Sequence, residues 1–429
     1  MNELQTLHNS HQQGGLAAYQ SHDPHLIRWR NQPLRYVPPL LLQLPKQPGI
    51  YTVGGGRQIG KTTALKLFME KLLQEGAPPA SILFLTGELI DDHHGLLREV
   101  REFLDTAPRP AVLIIDEVTY IRNWDKGVKF LADAGLLANV RLILTGSDLL
   151  LIQEARTRFP GRRGLADKVD FHVHPLSFGE FIALWGQPAS PELLDQYLMH
   201  GGFLTAINDY KRSGAITSAT LRTYSDWIRG DVLKRGRSET HLRSVVQSLL
   251  TRQGSQASWN SLARDLTIDH PKTVAEYVEL LERLDVVNIV SALNEETMAA
   301  APKKAKKLFF TDPFIGHALH AWVTDSNSIP PLTTETKGAW TEGVVHQHLR
   351  RGGPSFYIKA EGEVDAVRLL KNDGGPRFQP IEVKWTTQIR AKDLKQVRKY
   401  ANGTVWARHA EPSAIPPVLD LVQELAKIR

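Results

Sequence analysis

Residues 55–62 read Gly-Gly-Arg-Gln-Ile-Gly-Lys-Thr, a complete match to the pattern G-x-x-x-x-G-K-T. The apolar, β-type segment IYTV at 50–53 precedes the match, and the helical period TTALKLFMEKLL follows it at 62–73. A strand before the pattern and a helix after it are the context that a phosphate-binding loop requires. The sequence therefore predicts a P-loop here, within an α/β fold.

Each residue type in this loop has a physical role. The glycines allow consecutive backbone N–H groups to turn inward around a phosphate, and the positive end of the following helix adds to the attraction. Lys61 is placed to reach the β- and γ-phosphates of ATP, and the Thr62 hydroxyl to reach Mg²⁺. The residues predicted to bind ATP in this loop are Gly55, Gly56, Arg57, Gln58, Ile59, Gly60, Lys61, Thr62 and Thr63.

Two later strands carry polar groups at their ends. The apolar segment 112–115 ends in Asp116 and Glu117. An aspartate at such a strand end can hold Mg²⁺, and an adjacent glutamate can polarise the attacking water. The segment LILTGS ends in Thr145 and Ser147, where a polar group could sense the γ-phosphate. We therefore predict Mg²⁺-dependent ATP hydrolysis, with Lys61, Asp116 and Glu117 as catalytic residues.

The pattern around the P-loop predicts a parallel sheet covered on both faces. Short apolar runs alternate with helical periods from residue 49 to about residue 178, as expected for buried parallel strands. Three helical periods and a strand follow at 241–252, 258–266, 271–284 and 286–293, the order of a winged helix-turn-helix. The predicted organisation is an N-terminal arm at 1–45, an ATPase domain at 46–188, a helical lid at 189–237, a winged-helix-like unit at 238–300 and a C-terminal α/β domain at 301–429, which opens with a lysine-rich linker at 302–307.

Several segments together resemble a known family. GGRQIGKTT, IIDEVTYIRNW, LTGSDLL, PGRRG and HPLSFGEF resemble the AAA-type P-loop ATPases of bacteria and archaea that carry a C-terminal domain of uncertain role. GGFLTAI at 201–207 is similar to the lid motif GG-x-P of that family, except that Leu204 replaces the proline. The resemblance implies that Arg162 or Arg163 acts as an arginine finger between subunits of a homo-oligomer. The alternative is a pair of ordinary surface arginines.

The C-terminal segment carries a second set of charged residues. Glu342 lies in an apparent helix, Asp365 on an alternating strand, and Glu382 and Lys384 two residues apart on the next strand, so that their side chains share a face. This order is similar to the PD-(D/E)xK nuclease superfamily. The resemblance implies that Glu342, Asp365 and Glu382 bind Mg²⁺ or Mn²⁺ and that Asp365, Glu382 and Lys384 catalyse cleavage. A degenerate, docking version of the domain is the alternative.

The charge pattern favours DNA as a partner. The net charge is +6, and one of the basic clusters places Lys392, Lys395 and Arg398 at spacings of three, as on one helix face. The predicted recognition helix at 271–284 carries Glu276, Glu279 and Glu282 on its outer face, which favours a structural or protein-contacting role for that helix. A nucleotide-dependent switch that binds protein partners is therefore the rival to an ATPase that acts on DNA.

Composition narrows the setting. The chain has 429 residues and no cysteine, which suits a reducing cytosol. The N-terminus lacks the apolar core of a secretory signal, and no apolar run approaches the ~20 residues that span a bilayer. We therefore expect a cytoplasmic protein that does not enter a membrane.

Overall fold

The computed structural model of the protein describes residues 3–39, 44–266, 268, 270–370, 377–387 and 389–428, with side chains at all of these except 3, 4, 150, 152, 153, 392 and 393. The chain divides into two units, Met1–His174 and Pro175–Arg429. Within the described ranges, no helix combines the length and the apolar character that crossing a bilayer requires.

The first unit is built on a five-stranded sheet in which each pair of neighbouring strands is parallel, in the order β2-β3-β4-β1-β5. This confirms the predicted α/β class. Its helices and strands are α1 Glu3–Leu7, α2 His11–His22, α3 Pro24–Arg30, β1 Gly49–Gly54, α4 Lys61–Gln74, β2 Ile82–Thr86, α5 His93–Thr106, β3 Ala111–Asp116, α6 Trp124–Asp133, β4 Val140–Gly146, α7 Leu150–Arg158 and β5 Asp170–His172.

Both faces of this sheet are covered, as the continuous apolar strands predict. Side chains that alternate along β3 belong to different cores, because successive residues of a strand point to opposite faces. Leu113 and Ile115 pack in the core that contains α5 and α6. Val112 and Ile114 pack in the core that contains α4. A strand buried on both faces shows no polar alternation, which is why β3 is apolar throughout.

The segment 1–45 was predicted to be an arm, but its described residues include the helices α1, α2 and α3. Side chains of α1, of α2 and of the turn between them pair with the sheet edge. The Asn9 amide donates to the Phe84 carbonyl (2.7 Å) and accepts from the Phe84 N–H (2.8 Å). Gln5 makes the same pair of bonds with Thr86, at 3.2 and 3.1 Å. These side-chain amides bond backbone groups that a further strand would otherwise pair. Polar residues such as Gln5 and Asn9, which suggested a solvated arm, therefore pair with the edge strand β2.

A buried ion pair joins these N-terminal helices to α4, the helix that follows the P-loop. Lys66 is fully buried, and its Nζ lies 3.3 Å from Asp23 Oδ2 and donates to the His8 carbonyl at 2.9 Å. Burial lowers the pKa of Lys66 to about 8, and Asp23 opposes that shift. Because an unpaired buried charge is strongly destabilising, Asp23 and Lys66 depend on each other.

The second unit begins with helices and continues into a three-stranded antiparallel sheet of order β6-β10-β7. The predicted helical periods at 241–252, 258–266 and 271–284 each correspond to a helix. The elements are α8 Phe178–Trp185, α9 Pro191–His200, α10 Leu204–Ser213, α11 Ser218–Lys234, α12 Glu239–Arg252, β6 Gln256–Ala257, α13 Trp259–Asp265, α14 Pro271–Arg283, β7 Val287–Ser291, β8 Leu293–Asn294, β9 Ala299–Ala300, β10 Lys306–Phe310 and α15 Pro313–Thr324.

The lysine-rich segment 302–307 is not only a linker, because its end forms the start of β10. This strand is the middle one of the three-stranded sheet, and Leu308, Phe309 and Phe310 are buried in it. Helix α15, which follows, packs on α11 and α12. The predicted boundary at residue 301 therefore cuts through a packed group of elements.

The C-terminal part is a mixed five-stranded sheet in the order β11-β12-β13-β14-β15, preceded by a helix. The pairs among the first three strands are antiparallel, and those among the last three are parallel. The elements are α16 Thr334–Leu349, β11 Ser355–Lys359, β12 Glu363–Leu369, β13 Phe378–Lys384, β14 Thr404–Ala407, β15 Val418–Asp420 and α17 Leu421–Ala426. The predicted order of helix, strand and strand for the charged set is present.

The glycine pair predicted as a lid motif is attached to the start of α15 through a buried carboxylate. Asp312 accepts the Phe314 N–H at 2.9 Å and the Gly202 N–H at 2.7 Å. Gly201 has φ +59°, and a Cβ there would lie 1.7 Å from Asp312 Oδ1, so only glycine fits. Burial raises the pKa of Asp312 to about 7, against the two backbone N–H groups that lower it.

Asp312 should make folding stability depend on pH. Its folded pKa of about 7 exceeds the unfolded value of about 4, so its contribution is complete below about pH 4 and is lost as pH rises towards 7. The loss is at most about 1.4 kcal/mol per pH unit. Asp312→Asn should flatten this part of the profile in urea unfolding, whereas Asp325→Asn, at the exposed end of α15, should keep the wild-type slope. An unchanged slope in Asp312→Asn would contradict the assignment.

Candidate functional site

Strand order brings the predicted ATP-site residues to one edge of the sheet. The P-loop follows β1, Asp116 ends β3, and β4 lies between these two strands and ends beside Thr145. All three strands are parallel, so their carboxyl ends meet at the same edge. Residues that are far apart in the chain are therefore neighbours here.

The P-loop has the backbone that its glycines predict. Gly55 has φ +153°, and a Cβ there would lie 2.6 Å from the Val173 carbonyl. Gly60 has φ +96° directly before α4, and Gln58 has φ +54°. Because α4 begins at Lys61, the helix N-terminus points its free N–H groups towards the loop.

Lys61 is held inside the loop. Its Nζ donates to the carbonyls of Gly55 and Gly56 at 2.8 and 2.9 Å, and it lies 3.7 Å from Glu117 Oε1. The ammonium group is therefore positioned between the P-loop and the acidic end of β3, where it can meet phosphate oxygens.

Asp116 links the P-loop to β4. Its two carboxylate oxygens accept from Thr62 Oγ1 at 2.6 Å and from Thr145 Oγ1 at 2.5 Å. A hydroxyl and a carboxylate in contact are hard oxygen donors of the kind that Mg²⁺ takes, together with waters and phosphates. The side chains present thus fit the Mg²⁺ predicted at Thr62 and Asp116.

Glu117 stands in a conformation that few non-glycine residues adopt. Its φ is +51°, its N–H donates to Thr145 Oγ1 at 2.9 Å, and its Oε2 accepts the Ser147 N–H at 3.1 Å. Left-handed backbone at such a residue is characteristic of functional sites. Ser147, predicted near the γ-phosphate, contacts this carboxylate through its backbone.

Two further residues that were not predicted from the sequence lie next to the ATP site. Gly87 follows β2, and a Cβ there would lie 2.4 Å from the Glu117 carbonyl oxygen. Tyr120 accepts a hydrogen bond from the P-loop residue Arg57, whose guanidinium also lies over the Tyr120 ring. The only signal in the sequence was a glycine after a strand and an aromatic residue near Asp116.

The two candidate finger arginines differ in their surroundings. Arg163 is mostly buried and donates to Asp170 at 2.6 Å, to Thr52 Oγ1 at 3.1 Å and to two backbone carbonyls. Its guanidinium supports β1 and β5, so it does not suit a finger. Arg162 is paired with Asp133 at 2.5 Å and is more exposed. The finger prediction is therefore retained for Arg162 alone.

The C-terminal charged set is brought together, but around lysines. Lys384 Nζ lies 2.6 Å from Glu382 Oε1 and 3.6 Å from Asp365 Oδ2. Lys307, from β10, lies 2.6 Å from Glu342 Oε1 and 3.7 Å from Asp365 Oδ1, and it also contacts Glu363. Although burial opposes its charge, Glu342, Asp365 and Glu363 raise the pKa of Lys307. The sequence pattern predicts that Lys307 lies in a linker, and it gives no indication of these contacts with carboxylates.

These carboxylates do not fit a divalent metal ion. As the side chains stand in the structure, with the two lysines in place, no group of three histidine, aspartate or glutamate residues in the described ranges could hold one. Asp365 Oδ2 also accepts the Val383 N–H at 2.9 Å. The predicted metal set of Glu342, Asp365 and Glu382 is therefore not formed.

Two segments that were considered for contact with DNA differ from their predictions. The segment at 389–401 forms two 3₁₀ turns, Ala391–Leu394 and Val397–Lys399, so Lys395 and Arg398 do not share one helix face. The side chain of Lys392 lies outside those described. Glu282 is half-buried and accepts the Ile289 N–H at 3.3 Å, so it does not lie on the outer face of α14.

Two parts of the chain match family profiles. Residues 47–182 match the profile described as AAA domain, and residues 191–326 match one described as a domain of unknown function. Together with the parallel sheet and the P-loop geometry, the first match shows that residues 47–182 have the P-loop NTPase fold and are similar to an AAA domain.

Similar whole proteins extend the comparison. The chain is 26% identical over 259 residues to an uncharacterised protein of Haemophilus influenzae, which covers 56% of this chain and 62% of that one. It is 25% identical over 347 residues to an uncharacterised protein of Methanocaldococcus jannaschii, covering 75% and 73%. A Walker-type ATPase of Pyrococcus abyssi is similar in structure, with a TM-score of 0.42, 14% identity and coverage of 66% and 93%. The chain thus spans less than two thirds of the Haemophilus relative.

Replacing Lys61 tests nucleotide binding. Lys61→Ala removes an ammonium that would bond phosphate oxygens, and we expect ATP to bind about 10- to 100-fold more weakly. Titration with a fluorescent ATP analogue measures this change. Lys71→Ala, at the exposed end of the same helix, should bind as the wild type does. Equal affinities for Lys61→Ala and wild type would remove Lys61 from the site.

Proposed function

We propose that this protein is a Mg²⁺-dependent ATPase. The observation that carries the proposal is the bonding of Asp116 to Thr62 and to Thr145, with Glu117 adjacent. Thr62 and Asp116 would hold Mg²⁺, which supplies positive charge against the phosphate oxygens. Glu117 would accept a proton from the attacking water. The Ser147 N–H would keep the Glu117 carboxylate oriented for this step.

Replacing Glu117 separates binding from hydrolysis. Glu117→Gln keeps the shape of the side chain but cannot take up the proton, so ATP should still bind while the rate of phosphate release falls about 10²- to 10⁴-fold. Phosphate release and nucleotide binding are measured on the same preparation. Glu75→Gln, beyond the far end of α4, serves as the control. A normal rate in Glu117→Gln would exclude this residue as the base.

We further propose DNA as the partner on which ATP turnover acts. The net charge of +6 supports it, as do the exposed Lys395 and Arg398. In this proposal the elements from α12 to β10 serve as a winged-helix unit and the C-terminal sheet as a nuclease-like domain that binds DNA. The proposal does not include DNA cleavage, because the carboxylates of that domain do not fit a metal ion.

Affinity for DNA over a salt series tests the partner. We expect binding to duplex, single-stranded or branched DNA to weaken about 10³-fold or more between about 50 and 200 mM salt, because phosphate contacts release counterions. Lys395→Ala should lower the slope by about one phosphate contact. Lys129→Ala, exposed on α6 of the first unit, is the matched control. Absence of DNA binding at low salt would refute this partner.

A switch that binds protein partners is the second candidate, and the pairing of basic side chains favours it. In the loop region after α7 and in α7 itself, Arg156, Arg158 and Arg162 each contact a carboxylate at 2.8 Å or less. Arg237 is likewise 2.7 Å from Glu276. Such arginines offer less net positive charge to a phosphate backbone than the sequence alone indicates. Failure of the DNA test would favour this candidate.

We also propose a homo-oligomer in which Arg162 acts on the ATP of a neighbouring subunit. Its partial exposure supports this role, because the guanidinium could exchange Asp133 for a phosphate across an interface.

A further inference from the structure

The carboxylate cluster of the C-terminal part contains a lysine that comes from outside its own sheet. Lys307 lies on β10, the middle strand of the three-stranded sheet, whereas Glu363 and Asp365 lie on β12 and Glu342 on α16. Only 2% of the Lys307 side chain is exposed. A lysine is rarely buried to this extent unless its charge is matched. The three carboxylates provide the match.

The ammonium group lies against one oxygen of each of the three carboxylates. Lys307 Nζ is 2.6 Å from Glu342 Oε1 and 3.7 Å from Asp365 Oδ1, and it contacts Glu363 Oε1. The other oxygens of two of these carboxylates are also engaged: Gln256 donates to Glu363 Oε2, and the Val383 N–H donates to Asp365 Oδ2. A divalent ion would have to displace internal donors to bind.

We propose that Lys307 is a built-in replacement for a metal ion: its ammonium group occupies the cation position of the cluster and makes the C-terminal part independent of divalent metals. The same contacts fasten β10 to β12 and α16. The neighbouring residue Lys306 has no such role, because its side chain lies over the Trp259 ring, 5.4 Å from the centroid. This inference goes beyond ATP hydrolysis and does not depend on it.

Metal binding by the wild-type chain gives the first test. Nucleotide-free protein is titrated with Mn²⁺, and bound ion is followed by electron paramagnetic resonance. The wild type and Asp365→Asn should bind Mn²⁺ equally, because Asp365 takes no ion while Lys307 is present. Binding by the wild type that disappears in Asp365→Asn would overturn the proposal. This comparison needs no change at Lys307.

Removing the lysine gives the second test. Lys307→Met leaves three partly buried carboxylates without their cation, so the melting temperature should fall by roughly 10 °C and recover when Mn²⁺ is added. The recovery should be lost in the double variant Lys307→Met/Asp365→Asn. The melting temperature of the control variant Lys306→Met, on the same strand, should not change when Mn²⁺ is added. If Lys307→Met gains no more from Mn²⁺ than the wild type does, Lys307 does not occupy a cation position.

Discussion

The hydrogen bonds of the Asp116 carboxylate to Thr62 and Thr145 are the constraint on which the first unit depends. They can form only if β1, β4 and β3 are parallel neighbours that end at one edge. That arrangement requires the helical crossovers, and with them the two cores that bury the sheet. The parallel sheet then places the P-loop, Asp116, Glu117 and Thr145 at one edge. The loops that connect the strands have to be ordered only locally.

Two buried lysines show how surroundings decide what a charge does. Lys61 donates to two backbone carbonyls, which carry partial charges, and has one carboxylate, that of Glu117, 3.7 Å away, so its ammonium retains positive potential for phosphate oxygens. Lys307 contacts three carboxylates, which satisfy its charge within the fold. Lys66 resembles Lys307, because its charge is matched within the fold by Asp23. Burial makes each of these lysines sensitive to its partners, because desolvation penalises an unmatched charge.

Local pattern predicted most helices and strands, because hydrophobic periodicity and caps act over a few residues. It failed where polar residues turned out to be interior. Gln5 and Asn9 looked like parts of a solvated arm but pair with the edge strand β2. Lys307 looked like part of a linker but lies in the core of the second unit. In each case the deciding partner is dozens of residues away, and composition carries no information about it.

The sequence by itself determined the P-loop, the Asp116–Glu117 pair at the end of a strand, and the α/β class. These follow from short motifs whose backbone needs are local: glycine where φ is positive, and a helix start beside a phosphate. Only the tertiary structure decided that Arg163 supports the sheet and that the C-terminal carboxylates surround a lysine. Both outcomes depend on which oxygen atoms lie within about 3 Å of a charged group, and chain folding alone sets that distance.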